Sequence, residues 1–352
     1  MSPIQERASK HKFNIHDARP IFQRELGQIQ QFTTAELPLL KNLSLQRIEI
    51  EAGAVLEPKW FVNCNVLGYV LHGETLISVL DSASGMASFT CNPGQMFHIK
   101  SGALFHVENI VNEQVVILLA MRHEHPKDFT ISASAGAFTD SVLGNSWGFD
   151  ASVFKKVPRS TCPKVFVKRQ GKPAIPTNAK WPTPYRFDVE EMQAPTFAPG
   201  VGSAKKARSQ YWNVLTNIAM YSLRIEDEGM REPHWHPETV EMGYIHQGQA
   251  RMSIMDPDGS VDTFILRTGD VYFIPASHPH QIEVISEKDI HFLIFFDQPM
   301  PKDVGFRQAG AVMGRDVLAA AFGVDCNDFP EFPWDLEDPL LVAKKNPVDP
   351  IV

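Results

Sequence analysis

Cysteine is scarce in this 352-residue chain, and Cys64, Cys91, Cys162 and Cys326 lie too far apart to form a CxxC pair. That spacing suits reduced, buried thiols rather than a disulfide or zinc framework. No run of 18 or more apolar residues occurs, so no membrane-spanning helix is expected. Basic residues are outnumbered, 33 Lys and Arg against 41 Asp and Glu, and the net charge of −8 is relieved by no basic cluster. Nucleic acid and anionic membranes are therefore poor partners. No apolar stretch follows the charges at the N-terminus, so no secretory signal is expected and the expected location is cytoplasmic. Apolar content of 43% and charged content of 21% are those of an ordinary globular protein, and the length suggests roughly two domains of about 150 residues.

What the chain does contain is itself, twice. At an offset of 175, Pro20 and Phe22 fall on Pro195 and Phe197, and Leu40 and Asn42 on Leu215 and Asn217. Glu57, Pro58 and Trp60 fall on Glu232, Pro233 and Trp235; Gly68, Tyr69 and Gly73 on Gly243, Tyr244 and Gly248; Gly148 on Gly323; Pro158 on Pro333. One register without gaps over that distance marks a duplication, so differences between the halves carry information.

Each half reads as β. Short β-branched and aromatic runs such as Ala250 to Met255, Val271 to Ile274 and Ile290 to Phe296 are separated by turn residues such as Asp256-Pro257-Asp258-Gly259. This pattern predicts an all-β sandwich or barrel in each half. One helix is expected per half, Ser141 to Trp147 closed by Gly148 and Asp316 to Phe322 closed by Gly323. The proline-rich stretch Pro158 to Pro184 reads as an extended linker, which divides the chain into residues 1–176 and 177–352.

Chemistry concentrates in the second half, at Arg231-Glu232-Pro233-His234-Trp235-His236-Pro237-Glu238-Thr239-Val240-Glu241 and at Gly269 to His280. His234 and His236 are two apart and face the same way on a strand. Three imidazoles and a carboxylate converging in a small barrel make a divalent-metal site, His234, His236, Glu241 and His280. His278 reads as a turn residue, His123-Glu124-His125 as a surface loop, and Trp235, Tyr272, Phe273 and Phe292 as core.

The spacings HxH-x4-E-x6-G (His234, His236, Glu241, Gly248) and G-x5-P-x4-H (Gly269, Pro275, His280) resemble the two cupin motifs. The whole chain resembles a bicupin of the oxalate decarboxylase type, and it is also similar to germins. The resemblance implies two tandem double-stranded β-helix (jelly-roll) barrels, with the second holding Mn(II) through those four ligands. Fe, Zn, Ni or Co are the other ions such a set could take. It further implies that Arg231 clamps the carboxylate of a small substrate such as oxalate, its planar fork suiting that role. A homo-oligomer, a trimer or dimer of trimers, is implied as well, with the terminal helices interlocking.

The departures are equally specific. At the four ligand positions the first half carries Lys59, Phe61, Val66 and Phe105, so it is expected to be a cupin without metal. Ser277 stands in place of a motif glycine, and Ile294 where the resemblance places an internal glutamate. Forming formate from oxalate requires proton delivery to carbon, so a general acid is needed. Glu238, in the turn between His236 and Glu241, is the candidate. Three readings follow: a metal-dependent enzyme of oxalate decarboxylase or oxidase type, a non-catalytic binding or storage-type bicupin, and a cupin dioxygenase of another substrate.

Overall fold

The alternation of apolar and polar residues resolves into four antiparallel sheets in the computed structural model, which describes residues 9–195, 197–285, 289–332 and 339–348. Each half owns two sheets. In the first, one sheet runs Arg186–Asp188, Gln95–Ile99, Val66–His72, Val115–Met121, Ser44–Ile50, Gly27–Phe32, Phe22–Arg24. The other runs Asp128–Thr130, Ala54–Phe61, Leu104–Asn109, Thr75–Leu80, Met86–Cys91, with Phe166–Lys168 also paired to Ala54–Phe61. Ile48, Val66 and Ile117 from one sheet and Ile77, Phe89 and Phe105 from the other share one buried core, as a sandwich requires.

The second half repeats the plan. Lys12–Asn14, Asp270–Ile274, Glu241–Gln247, Ile290–Phe296, Ala219–Ile225 and Gly202–Ala207 form one sheet. Val261–Arg267, Gln249–Met255, His280–Val284, Gly229–Trp235 and Val304–Gly305 form the other, with Val342–Ala343 added to Gly229–Trp235. Tyr221, Ile245 and Phe292 pack with Met252, Phe264 and Ile282 in its core. In both halves a glycine admits a ring: a Cβ on Gly68 would lie 2.2 Å from the Phe97 ring, and one on Gly243 2.1 Å from the Tyr272 ring. Among the described residues no helix is long and apolar enough to cross a membrane.

Some sequence expectations need adjusting. The expected helices occupy Asp140–Trp147 and Arg315–Phe322, each closed by a left-handed glycine, Gly148 (φ 70°) and Gly323 (φ 69°). Each is preceded by a shorter helix that the sequence did not announce, Ile131–Ala135 and Phe306–Val312. Contacts divide the chain elsewhere than near Pro176: one unit holds Ala18–Glu36 and Asn42–Glu190, the other the residues up to Asp17, Leu37–Lys41 and those from Glu191 onward. The proline-rich stretch is not a free linker, because Phe166–Lys168 within it and Arg186–Asp188 just after it join sheets of the first unit. Three-residue strands between prolines are too short to display a period. Likewise Lys12–Asn14 pairs with Val271 and its neighbours in the second unit. Of the cysteines, Cys64 and Cys91 are buried, and burial raises the Cys64 thiol to about 12. Cys162 and Cys326 are exposed, against expectation. Of the C-terminal stretch Phe332 to Val352, residues 333–338 and 349–352 lie outside the described residues.

Candidate metal centre

Local geometry brings the four candidate ligands together. His234 lies on Gly229–Trp235 directly opposite His280, the first residue of His280–Val284. His236 follows that strand, two residues on and on the same face. Glu241 begins Glu241–Gln247 in the other sheet, paired with Ile274 and Phe296. One ligand atom from each residue lies within 4.8 Å of the others, and all four side chains are buried. Arg231 has the wrong parity to share a face with His234 on a regular strand. A register shift between Arg231 and His234, at Glu232-Pro233, turns it inward. The first half carries the same irregularity, between the pairs Phe105–Lys59 and Val107–Leu56.

The hydrogen bonds around the imidazoles orient them as ligands. Nδ1–H of His234 donates to the Glu232 carbonyl (2.8 Å), that of His236 to Lys302 (3.0 Å), and that of His280 to His278 (2.9 Å). This directs every Nε2 toward Glu241. The Nε2 of His280 is buried without a hydrogen-bond partner, 3.6 Å from Glu241 Oε2. An orphaned acceptor in so polar a cluster costs free energy unless a cation occupies the space, and outer hydrogen bonds of this kind are what metal-ligating histidines make. The residues therefore fit a divalent ion.

Without an ion, protons take over part of its task. Burial would depress His236, but the Asp303 carboxylate 2.6 Å from Nδ1 and the hydrogen bond to Glu241 Oε2 (2.8 Å) carry its pKa up to about 10. Burial acts to raise Glu241, and the hydrogen bond from His236, with the His280 imidazole close by, overcomes it and holds the carboxylate ionised. His234 goes the other way, kept neutral by burial and by the positive Arg231. A metal must displace the His236 proton.

Two residues that sequence reasoning missed complete the centre. Tyr272, expected only to fill the core, donates its hydroxyl to Glu241 Oε1 (2.7 Å), and burial together with that carboxylate keeps the phenol protonated. Asp303 lies 2.6 Å from His236 Nδ1 and 3.2 Å from Arg231 Nη2, both of its partners buried. A signal for it existed: Pro301-Lys302-Asp303 repeats Pro126-Lys127-Asp128 at the offset of 175.

A cavity of about 10 Å³ adjoins the imidazoles, lined by Arg231, Tyr221, Leu223, Ile282, Ile294 and Phe296 among others. It has room for roughly one water. Arg231 also donates to the Leu340 carbonyl (2.9 Å), so Asp303 and Leu340 fix its fork beside the cavity. Ile294 brings no acid to the wall. Glu238 is exposed and absent from the lining, so it is not brought to the site. Tyr221 is the one lining residue that carries a hydroxyl, and burial raises its pKa against the hydrogen bond it shares with Arg208. Ser277, at the motif-glycine position, holds a left-handed φ of 64° and is anchored by its N–H to the His236 carbonyl (2.8 Å) and its hydroxyl to Pro237 (2.7 Å). It thereby ties the His236 turn to the His280 turn. His278 is half-buried and outside the ligand set, and His125 is exposed.

Comparison with known proteins agrees with this geometry. The cupin family model matches residues 13–155 and again 191–328. The oxalate decarboxylase OxdC of Bacillus subtilis is 26% identical over 327 residues, covering 89% of this chain and 82% of that protein. A probable oxalate decarboxylase of Arthroderma benhamiae is 24% identical, covering 90% and 78%. A solved structure of the Bacillus subtilis enzyme, from work on its Mn(II) centres, superposes with a TM-score of 0.83 at 22% identity over 97% of this chain and 90% of that one.

Proposed function

This chain belongs to the cupin family, and on that premise we propose that it is a metal-dependent enzyme of oxalate decarboxylase or oxidase type. Its substrate is oxalate or a similar small carboxylate, taken at the second unit. The observation that carries this reading is the buried set His234, His236, Glu241 and His280, with the Nε2 of His280 unpartnered and Arg231 fixed at the adjoining cavity. Relatives that are oxalate decarboxylases, matched along most of their length, support the substrate class.

A divalent ion, Mn(II) by analogy with the solved relative, would supply Lewis-acid and redox chemistry to a carboxylate bound beside it. The chain's own residues do the rest. Arg231 presents a fixed cation to the distal carboxylate, and Asp303 holds both Arg231 and His236 in place. Tyr272 orients Glu241. Leu223, Ile282, Ile294 and Phe296 exclude water, which strengthens every charge interaction in the site. A cavity of about 10 Å³ is smaller than a two-carbon diacid, so admission requires the wall, including the Leu340 segment, to yield. The proton needed for formate has one hydroxyl donor in the lining, Tyr221. A raised pKa keeps it protonated, and it gives its proton only to a strongly basic carbon.

The test is carbon NMR of labelled oxalate incubated in air with Mn-loaded protein, beside a peroxide assay. Formate identifies a decarboxylase, and Tyr221→Phe should then lower formate by about 10²-fold or more while metal content stays unchanged. Carbon dioxide with peroxide identifies an oxidase. Absence of turnover with the metal bound removes oxalate as the substrate.

A further inference from the structure

Asp303 fixes Arg231 beside the second unit's cavity, but at 3.2 Å it also answers that arginine's charge. A paired cation exerts little net pull on an approaching anion. Another arginine, Arg208, is placed differently. The strand Gly202–Ala207 is the edge of its sheet and pairs with Ala219–Ile225, Ala204 opposite Leu223 and Lys206 opposite Tyr221. Ala204, Lys206 and Arg208 are two apart, so a row that is buried core at Ala204 turns cationic further along. The ladder continues from Ala207 opposite Met220 to Ala219, Phe296 and Glu241, which brings Arg208 to the level of the metal ligands.

Arg208 is half-buried, and the partners of its guanidinium are neutral. It shares a hydrogen bond with the Tyr221 hydroxyl, donates to Gln210 Oε1 (2.5 Å) and lies 5.4 Å over the Tyr211 ring. Among the described residues no carboxylate pairs with it. Lys206, also half-buried, holds its Nζ 5.5 Å over the Tyr221 ring. Tyr221 lines the cavity, whereas the two cations do not, so they reach the cavity through that residue. A guanidinium with neutral partners keeps its positive field, and a carboxylate that takes over those donors makes the stronger, charge-assisted bonds. The unit without metal ligands has none of this. At the offset of 175, Gln31, Thr33 and Leu56 stand where the second unit has Lys206, Arg208 and Arg231.

We propose that Arg208, aided by Lys206, is the docking residue that receives the substrate's carboxylate at the edge of the second unit and passes it by Tyr221 to Arg231. This rests on the reading of the second unit as the site for a small carboxylate. A carboxylate on Arg208 takes the hydrogen bond now given to Tyr221. Releasing that side chain opens the wall of a cavity too small for a two-carbon diacid.

Calorimetric titration of the full chain with oxalate tests this, in the Mn-loaded protein and in His280→Ala, which is expected to hold no metal. The metal-free variant should bind oxalate with Kd on the order of 1–10 mM at low ionic strength. Adding Arg208→Gln should weaken that about tenfold, and Arg208→Lys, which keeps the charge, should recover part of the loss. Lys206→Met should cost about threefold, and it carries the test should Arg208→Gln unfold. Raising the ionic strength from about 20 to about 200 mM should weaken binding several-fold, and much less in Arg208→Gln. In the Mn-loaded chain Arg208→Gln should keep its metal, which reports a folded second unit, while KM for oxalate rises about tenfold and kcat changes little. Oxalate binding that depends on Arg208 in a protein without turnover supports the docking residue and removes only the enzyme reading. Turnover with KM unchanged in Arg208→Gln overturns the docking residue alone. So would the absence of saturable oxalate binding to the metal-free chain, Arg208→Lys binding no better than Arg208→Gln, or an affinity indifferent to salt.

Discussion

The two units share a frame and differ at its floor. Glu57 and Glu232 are both buried and both accept a backbone N–H, from Val165 (2.7 Å) and Arg307 (2.9 Å). Val165 and Leu340, at the same offset, both hold left-handed φ values, 68° and 56°. Asp128 and Asp303 each answer a buried cation, Lys59 in one unit and Arg231 with His236 in the other. Against that constancy, His236 and His280 are replaced by Phe61 and Phe105, whose rings stack at 6.2 Å, and Glu241 by Val66. Tyr272 becomes Phe97, its hydroxyl gone together with the carboxylate it would orient. Ligands and their supports were lost as a set, while the parts that hold the sheets together stayed. A metal centre is thus a separable layer on this frame, and the frame tolerates a paired lysine in its place.

The strongest test of that separation is metal content. His236→Ala and His280→Ala should each reduce bound metal from about one per chain to near none, and Phe61→Ala should leave it unchanged, measured by elemental analysis after dialysis. Equal loss in all three would place the metal elsewhere. Next comes Phe105→Ala, which opens a cavity in the first unit's core and should cost about 3–5 kcal/mol in denaturant unfolding without loss of metal. His98 provides a pH signature of the first unit. Burial lowers it to about 4, with Lys100 acting in the same direction. The unfolded chain therefore binds the extra proton between pH 6.5 and 4, and stability is lost as pH falls through that window. The loss is of order 3 kcal/mol, and His98→Phe, the residue found at the equivalent Phe273, should flatten that slope in pH-dependent denaturation. Smallest is Tyr272→Phe, which should keep metal binding but weaken it about 10–100-fold in a competition titration against a chelator. The reciprocal Phe97→Tyr should gain no metal at all.

Much of this is legible in the sequence. The duplication, the β class, both glycine-closed helices and the four clustered side chains follow from spacing, because period-two strands and motif intervals are local properties. The proline-rich stretch misled for a related reason: strands of three residues leave no period to read. Arg231 was singled out through resemblance, but only the register shift at Glu232-Pro233 gives it the face of the histidines. Glu238 looked close to the ligands in sequence and is exposed in space, whereas Asp303, far along the chain, touches His236. Local order in the chain fixes which residue types recur and where a strand can begin. Which groups share a cavity, which nitrogen is left without a partner and which carboxylate faces which cation depend on register between distant strands, and that is settled only when the two sheets of each unit close on their common core.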